Sequence, residues 1–263
     1  MSFDADVIDQ CKNLKYIGIF ATGYNNINLE AARDKGIIVC NAPSYSTDAV
    51  AQHTFAFILH FMNKVAQYNQ SVHEDRWINS KTFSYFPYPI SEVAGKILGI
   101  AGYGSIGQKV AEIARAFGMK VIVYTRTKKD VPGIEFVNEE DLFKNSDILT
   151  IHCPLTEETR NFVNKERIEL MKRDAILINT ARGPIINEQD LADALNNERI
   201  AGAGLDVLSR EPMREDNPLK SAKNCVITPH IGWAPIQARE RLIGIVADNI
   251  KHFIDGNPMN VVN

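Results

Sequence analysis

Lys96-Ile97-Leu98-Gly99-Ile100-Ala101-Gly102-Tyr103-Gly104-Ser105-Ile106-Gly107 decides the fold. Its short apolar run, rich in Ile, reads as a buried strand, which breaks at Gly102 into a turn. A helical pattern then starts at Ile106, and that strand–turn–helix context gives G-x-G-x-x-G its meaning. Gly102 makes the tight turn, Gly104 lets the backbone approach a pyrophosphate, and Gly107 lets helix and strand pack closely. The free N–H groups of the helix start, with the dipole behind them, favour anionic phosphates. A glycine turn in any α/β protein produces the same string, so the motif alone is weak and its flanks carry the reading.

Outward from this stretch the chain alternates. Residues 106–117 read as a helix stopped by Gly118, and 121–124 as the second strand of the unit. Further strands are expected at Ile148–Ile151, 175–179, 202–206 and Cys225–Ile227, with helical segments between most of them. Repeated β-then-α order argues for a parallel sheet wrapped by helices on both faces. Before the glycine turn, 14–20 and 37–40 are short apolar runs around a helix at Leu29–Asp34, a βαβ pattern of its own. Residues 46–73 carry a helical stripe of Val50, Phe55, Ile58, Phe61, Met62 and Val65, read as one long element. The loop 74–92 holds Trp77, Phe83, Tyr85, Phe86 and Tyr88, which suits a subunit contact or packing on its own domain equally well. The end, 236–253, is again helical.

Bulk properties exclude several classes. A net charge of −3 leaves no basic footprint for nucleic acid and no polybasic patch for a membrane. No apolar run is long enough to span a bilayer, and Met-Ser-Phe-Asp-Ala-Asp lacks the features of a signal peptide. Cys11, Cys40, Cys153 and Cys225 are scattered without metal-ligand spacing. They read as reduced thiols of a cytoplasmic protein that binds no metal.

In a sheet of this type ligands sit beyond the carboxyl ends of the strands. Arg182, Glu211 and His230 fall there on three different strands. An arginine can grip a substrate carboxylate through two hydrogen bonds, and a histidine can exchange the proton while hydride moves. A neighbouring glutamate would orient that ring and favour its protonated form. The plainer alternative is two surface charges and a histidine that caps a turn. His53, on the long helix, is read as structural. His152 lies either beside an adenosine or as a satisfied core residue, and Cys153 is read as a small apolar wall.

Four motifs make the chain resemble the D-isomer-specific 2-hydroxyacid dehydrogenases, over residues 15–263. They are Ala21-Thr22-Gly23-Tyr24-Asn25-Asn26 with Leu29-Glu30-Ala31-Ala32, the glycine turn, Asn179-Thr180-Ala181-Arg182-Gly183 with Asp206 and Glu211-Pro212, and Thr228-Pro229-His230-Ile231-Gly232. The segment Gln52-His53-Thr54-Phe55 and the aromatic loop look closest to hydroxypyruvate reductases, also called glycerate dehydrogenases. The resemblance implies a Rossmann-type doubly wound parallel sheet (47–235). It also implies a second, smaller flavodoxin-like α/β substrate domain from 1–46 and 236–263, truncated because family members carry extra N-terminal βα units.

By resemblance, Arg182 binds the substrate carboxylate and carbonyl, Glu211 supports His230, and His230 is the acid/base. The backbone at Thr22-Gly23 helps hold the carboxylate, and the acid lies in the cleft between the domains. The cofactor set is Gly102, Gly104, Ser105, Ile106, Gly107, Thr125, Arg126, Cys153, Pro154, Thr180, Ala181, Arg182, Asp206, His230 and Gly232, with Asp206 near the nicotinamide amide. The expected protein is a homodimer that reduces a small 2-keto acid, hydroxypyruvate or glyoxylate first. Phosphoglycerate dehydrogenase is the alternative enzyme, and a dinucleotide-binding or assembly protein without useful turnover is the alternative class.

An NAD-selective site places Asp or Glu at the end of the second strand, on the adenosine ribose. Here Thr125 stands in that place and Arg126 follows, with Lys128 nearby. Arginine pairs with a 2′-phosphate where a carboxylate would repel it, so NADP is expected ahead of NAD, with Arg126 as the main contact.

Overall fold

The computed structural model describes residues 3–126 and 131–263. Lys128 therefore lies outside the described residues. In chain order the elements begin with α1 (Ala5–Gln10), β1 (Tyr16–Gly18), α2 (Leu29–Asp34) and β2 (Ile38–Cys40). Next come α3 (Thr47–Asn63), α4 (Val65–His73), β3 (Ile97–Ala101), α5 (Ser105–Ala116), β4 (Lys120–Tyr124) and β5 (Glu135–Phe136). Then follow α6 (Glu139–Asn145), β6 (Ile148–Ile151), α7 (Lys165–Ile168), β7 (Ile176–Asn179) and α8 (Glu188–Asn196). The chain closes with β8 (Gly202–Leu205), β9 (Cys225–Ile227) and α9 (Ile236–Ile254).

Two compact units result, one of Val50–Gly232 and one of the residues up to Ala49 with Trp233–Asn263. The division falls at 49/50 and 232/233 rather than at 46/47 and 235/236. Its cause is packing: Ala49 and Trp233 join the cluster of Ala42, Tyr45, Ala238, Leu242 and Val246.

The larger unit is a seven-stranded parallel sheet in the order β5-β4-β3-β6-β7-β8-β9. This is the Rossmann-type doubly wound arrangement, with the strand order reversing between β3 and β6. Strands β6, β7 and β8 are buried at every position, so they read as continuous apolar runs rather than alternating ones. Alternation reappears in which face each side chain takes. Ile148, Ile176 and Ile178 pack with α3 and α5, whereas Leu149, Ile151 and Leu177 pack with α6, α7 and α8.

Helix α3 lies close along β8 because that strand is Gly202-Ala203-Gly204-Leu205. A Cβ at Gly202 would come within 2.7 Å of the Phe61 ring, and one at Gly204 within 2.7 Å of Phe57. The continuous helix expected over 46–73 is broken at Lys64, which takes a left-handed conformation (φ 50) between α3 and α4. Nothing in the apolar stripe signals this break. The Met62 carbonyl accepts the Ser91 N–H at 3.1 Å, a tertiary bond that periodicity does not encode.

The smaller unit holds the two-stranded parallel sheet β1-β2. Ile8, Ile19, Ala32, Ile37 and Val39 form its core. The last residues lie along the outer edge of β2. Val262 donates to the Val39 carbonyl at 2.9 Å, and the Asn263 side chain accepts from Val39 N and donates to Ile37 O. Thr22 follows β1, with its hydroxyl on the Ala42 carbonyl (2.9 Å) and its own carbonyl on Asn41 Nδ2 (2.7 Å). Gly23 comes next in this fixed segment, and the carboxylate role of both rests on the resemblance.

Candidate active site

The three glycines of the turn differ in what surrounds them. Gly102 has φ 97, and a Cβ there would stand 2.5 Å from the Cys153 nitrogen, so conformation and space both demand glycine. A Cβ at Gly107 would lie 2.3 Å from the Gly102 carbonyl oxygen, which fixes how closely α5 approaches β3. Gly104 meets nothing within 4 Å. That open space faces the start of α5, where Gly104 is the N-cap and no side chain caps the helix. A dinucleotide phosphate fits there: the helix end offers N–H donors and positive dipole, and the space a Cβ would fill is empty.

The rim of this cradle comes from β4 and β6. Thr125 and Arg126 follow β4, and Arg126 Nη1 is 3.5 Å from Glu158 Oε2, with both side chains largely exposed. His152 and Cys153 follow β6 and press against Gly102, with Pro154 exposed beyond them. Burial pushes the Cys153 thiol up to about 11, so it stays protonated. The His152 ring holds Thr150 Oγ1 at 2.9 Å through Nε2, while its buried Nδ1 has no partner among the described residues. Desolvation lowers its pKa to about 3, so the ring is neutral.

Arg182, Glu211 and His230 project from the ends of β7, β8 and β9, three neighbours in the sheet. Behind Arg182, the Asn179 side chain donates to the Arg182 carbonyl and accepts the Ala181 N–H, both at 2.9 Å. Gly183 then abuts the chain at 208–209, where a Cβ would meet the Leu208 carbonyl carbon at 1.9 Å. The Arg182 turn and the loop to Glu211 are thus pressed together. Thr180, on the same turn, directs its hydroxyl to Thr54 of α3 at 3.2 Å.

Glu211 Oε2 lies 2.7 Å from His230 Nδ1, and Oε1 accepts the Leu208 N–H at 3.0 Å. With Nδ1 donating to a carboxylate, Nε2 is the ring atom left to exchange a proton. His230 itself has φ 55, a left-handed backbone rare outside glycine.

Asp206 is 3% exposed. Its carboxylate accepts the Thr228 hydroxyl (2.5 Å) and the N–H groups of Ile231 (2.9 Å) and Gly232 (2.8 Å). Burial would raise its pKa, but the hydrogen bonds from His53, Thr228, Gly232 and Ile231 outweigh that and hold it below the ordinary carboxylate value. Sequence reasoning missed His53, Thr54 and Thr228 as supports of this site. Their one local signal is that His53 shares a helical face with Phe57 and Phe61, at intervals of four.

A family model for the D-isomer specific 2-hydroxyacid dehydrogenase, NAD binding domain, matches residues 55–232. The chain belongs to the D-isomer-specific 2-hydroxyacid dehydrogenases. It is 46% identical over 263 residues to a hydroxypyruvate reductase of Blautia hydrogenotrophica, covering 98% of this chain and 81% of that one. It is 40% identical over 260 residues to a glycerate dehydrogenase of Methylorubrum extorquens, covering 98% and 82%. A solved acyclic imino acid reductase in complex with NADPH and D-Arg superposes with a TM-score of 0.91 at 37% identity, over 100% of this chain and 83% of that one. Like other D-2-hydroxyacid dehydrogenases, this protein is an oxidoreductase acting on a CH–OH group with a nicotinamide dinucleotide. Among the described residues no helix is long and apolar enough to cross a membrane.

Proposed function

We propose that the protein reduces hydroxypyruvate to D-glycerate, or glyoxylate to glycolate, using NADPH. The observation that carries this reading is the Glu211–His230 pair at 2.7 Å, set at a strand end of the sheet whose glycine turn fits a dinucleotide. The dinucleotide, held by the glycine turn and the start of α5, would supply hydride for reduction of the carbonyl carbon. His230 gives its Nε2 proton to the carbonyl oxygen as that oxygen becomes anionic, and the Glu211 carboxylate balances the charge of the ring before transfer. Arg182 anchors the substrate carboxylate and polarises the carbonyl through its guanidinium fork. Asp206 holds the turn that bears His230, and Ser105, Ile106 and Gly107 present the helix start to the pyrophosphate.

The choice of substrate rests on the relatives named hydroxypyruvate reductase and glycerate dehydrogenase. NADPH is favoured because the end of β4 offers Thr125 and Arg126 where an NAD site would carry an acid. The exposed pair that Arg126 makes with Glu158 is weak enough for a 2′-phosphate to displace. A homodimer is inferred from Trp77, Phe83 and Phe86, exposed at 50%, 91% and 78%. Light scattering of the purified chain tests that inference, and a monomer would end it. Initial rates with hydroxypyruvate, glyoxylate, pyruvate and 3-phosphohydroxypyruvate test the substrate. The first two should be turned over best, and a preference for the phosphorylated acid would replace this reading with the phosphoglycerate enzyme.

A further inference from the structure

His53, Phe57 and Phe61 form one stripe of α3, four residues apart, and the stripe lies along β8 in register. Phe61 packs on Gly202 and Phe57 on Gly204, while His53 reaches Asp206, two residues further along the chain. The aromatic pair therefore aims a polar ring at the strand end from which the His230 turn is held. His53 Nε2 lies 2.9 Å from Thr228 Oγ1 and 3.3 Å from Asp206 Oδ1.

Bond directions follow from donor counting. The Thr228 hydroxyl has one proton, and it goes to Asp206 Oδ1. Toward His53 that hydroxyl can only accept, so His53 carries its proton on Nε2 and donates. The result is a one-way chain from His53 through Thr228 to Asp206.

Asp206 in turn receives three consecutive backbone N–H groups. His230 N donates to its main-chain carbonyl at 2.9 Å, Ile231 N to Oδ1 and Gly232 N to Oδ2. A left-handed residue such as His230 persists only where its surroundings over-determine it, and these three bonds do so. The arrangement is tight as well: a Cβ at Gly232 would lie 2.9 Å from Asp206 Oδ2 and 3.4 Å from the His53 ring.

We infer that His53 is a positioning residue for His230, acting through Thr228 and Asp206. The inference rests on the proposed reading of His230 as proton donor, and it extends that reading to a side chain that does not touch substrate. Among the described residues, Glu211 and Asp206 are hydrogen-bonded to His230, with His53 one bond further away.

The test compares His53→Leu with His53→Gln, whose amide keeps a donor near the Nε2 position. With hydroxypyruvate and NADPH, His53→Leu should lower kcat between about 10- and 100-fold, because a misplaced proton donor costs that much. KM and NADPH affinity should stay within about threefold, and His53→Gln should recover most of the loss. In 15N-labelled protein the His230 ring resonances should move in His53→Leu and remain in place in His53→Gln. Equal losses in both variants, or an unaltered kcat with unmoved His230 resonances in His53→Leu, would overturn the inference. Absence of turnover in the wild type would strike the substrate reading alone, since the His230 resonances still decide the positioning role. Should His53→Leu not fold, Thr228→Val cuts the same chain and Thr228→Ser restores it, with the same two readouts.

Discussion

Glu211 holds His230 with a carboxylate that is itself held. Oε2 is 2.7 Å from the imidazole Nδ1, while Oε1 takes the Leu208 N–H at 3.0 Å. The carboxylate cannot rotate without breaking one of the two bonds, so ring orientation and tautomer are set together. Gly183, which allows the Arg182 turn to press on residues 208–209, extends this constraint to Arg182.

Glu211→Gln retains the size of the side chain and removes the charge that balances a protonated His230. The expected result is a fall of about 100-fold in kcat for 2-keto acid reduction, at the low end of what a general acid contributes. NADPH affinity, measured by fluorescence titration, should be almost unaltered. An equal loss of cofactor affinity would place Glu211 in binding instead.

The second and third glycines of the turn should separate folding from binding. Gly107→Ala puts a methyl group 2.3 Å from a backbone oxygen and should cost about 1–3 kcal/mol of stability. Gly104→Ala meets nothing within 4 Å and costs only the poorer N-cap, about 0.5–1 kcal/mol, which should lower the melting temperature by about 2–3 °C. The same methyl group enters the space assigned to the pyrophosphate, so the NADPH dissociation constant should rise about tenfold or more. Thermal melts and titrations on both variants read the two effects independently.

Arg126→Ala should raise KM for NADPH by about tenfold, the value of roughly one charge-assisted hydrogen bond, and leave KM for NADH nearly unaltered. Glu158→Gln removes the partner that holds Arg126 at 3.5 Å and should shift preference further toward NADPH. Steady-state kinetics with both cofactors check this pair of variants. Equal changes for the two dinucleotides would remove the 2′-phosphate from the account.

His152 gives stability an acid dependence of its own. In the folded chain desolvation lowers its pKa to about 3 from 6.5, so between these values the unfolded chain binds a proton that the folded chain does not. Stability from this group is complete above pH 6.5 and is lost as pH falls through that window. At pH 5, where most carboxylates are still ionised, the loss should be about 2 kcal/mol relative to pH 7. In urea melts the wild type should therefore lose more stability than His152→Gln as pH drops from 7 to 5. Parallel curves would mean that folding leaves the protonation of the ring unaltered.

Much of the larger unit was legible because a parallel sheet buries both faces, so its strands are plain apolar runs such as Ile148–Ile151. Strand β5, Glu135–Phe136, is two residues long and partly exposed, too short to leave a pattern. The break at Lys64 was also hidden, since a left-handed lysine has no glycine or proline to announce it. Around the site, Arg182, Glu211 and His230 could be placed at strand ends from order alone. The supports could not: His53 meets Thr228 across 175 residues of sequence, and no local pattern joins them. Glycines 202 and 204 did carry that information, because they leave room for Phe57 and Phe61 and so bring His53 to Asp206.

The most direct measurement is NADPH oxidation with hydroxypyruvate by wild type and His230→Ala at neutral pH, alongside NADPH binding by both. With His230 as proton donor, the wild type turns over, kcat falls about 10²- to 10⁴-fold in the variant, and cofactor affinity stays within about threefold. A His230→Ala variant that retained more than about a tenth of the wild-type rate would contradict the assignment of His230 as the proton donor.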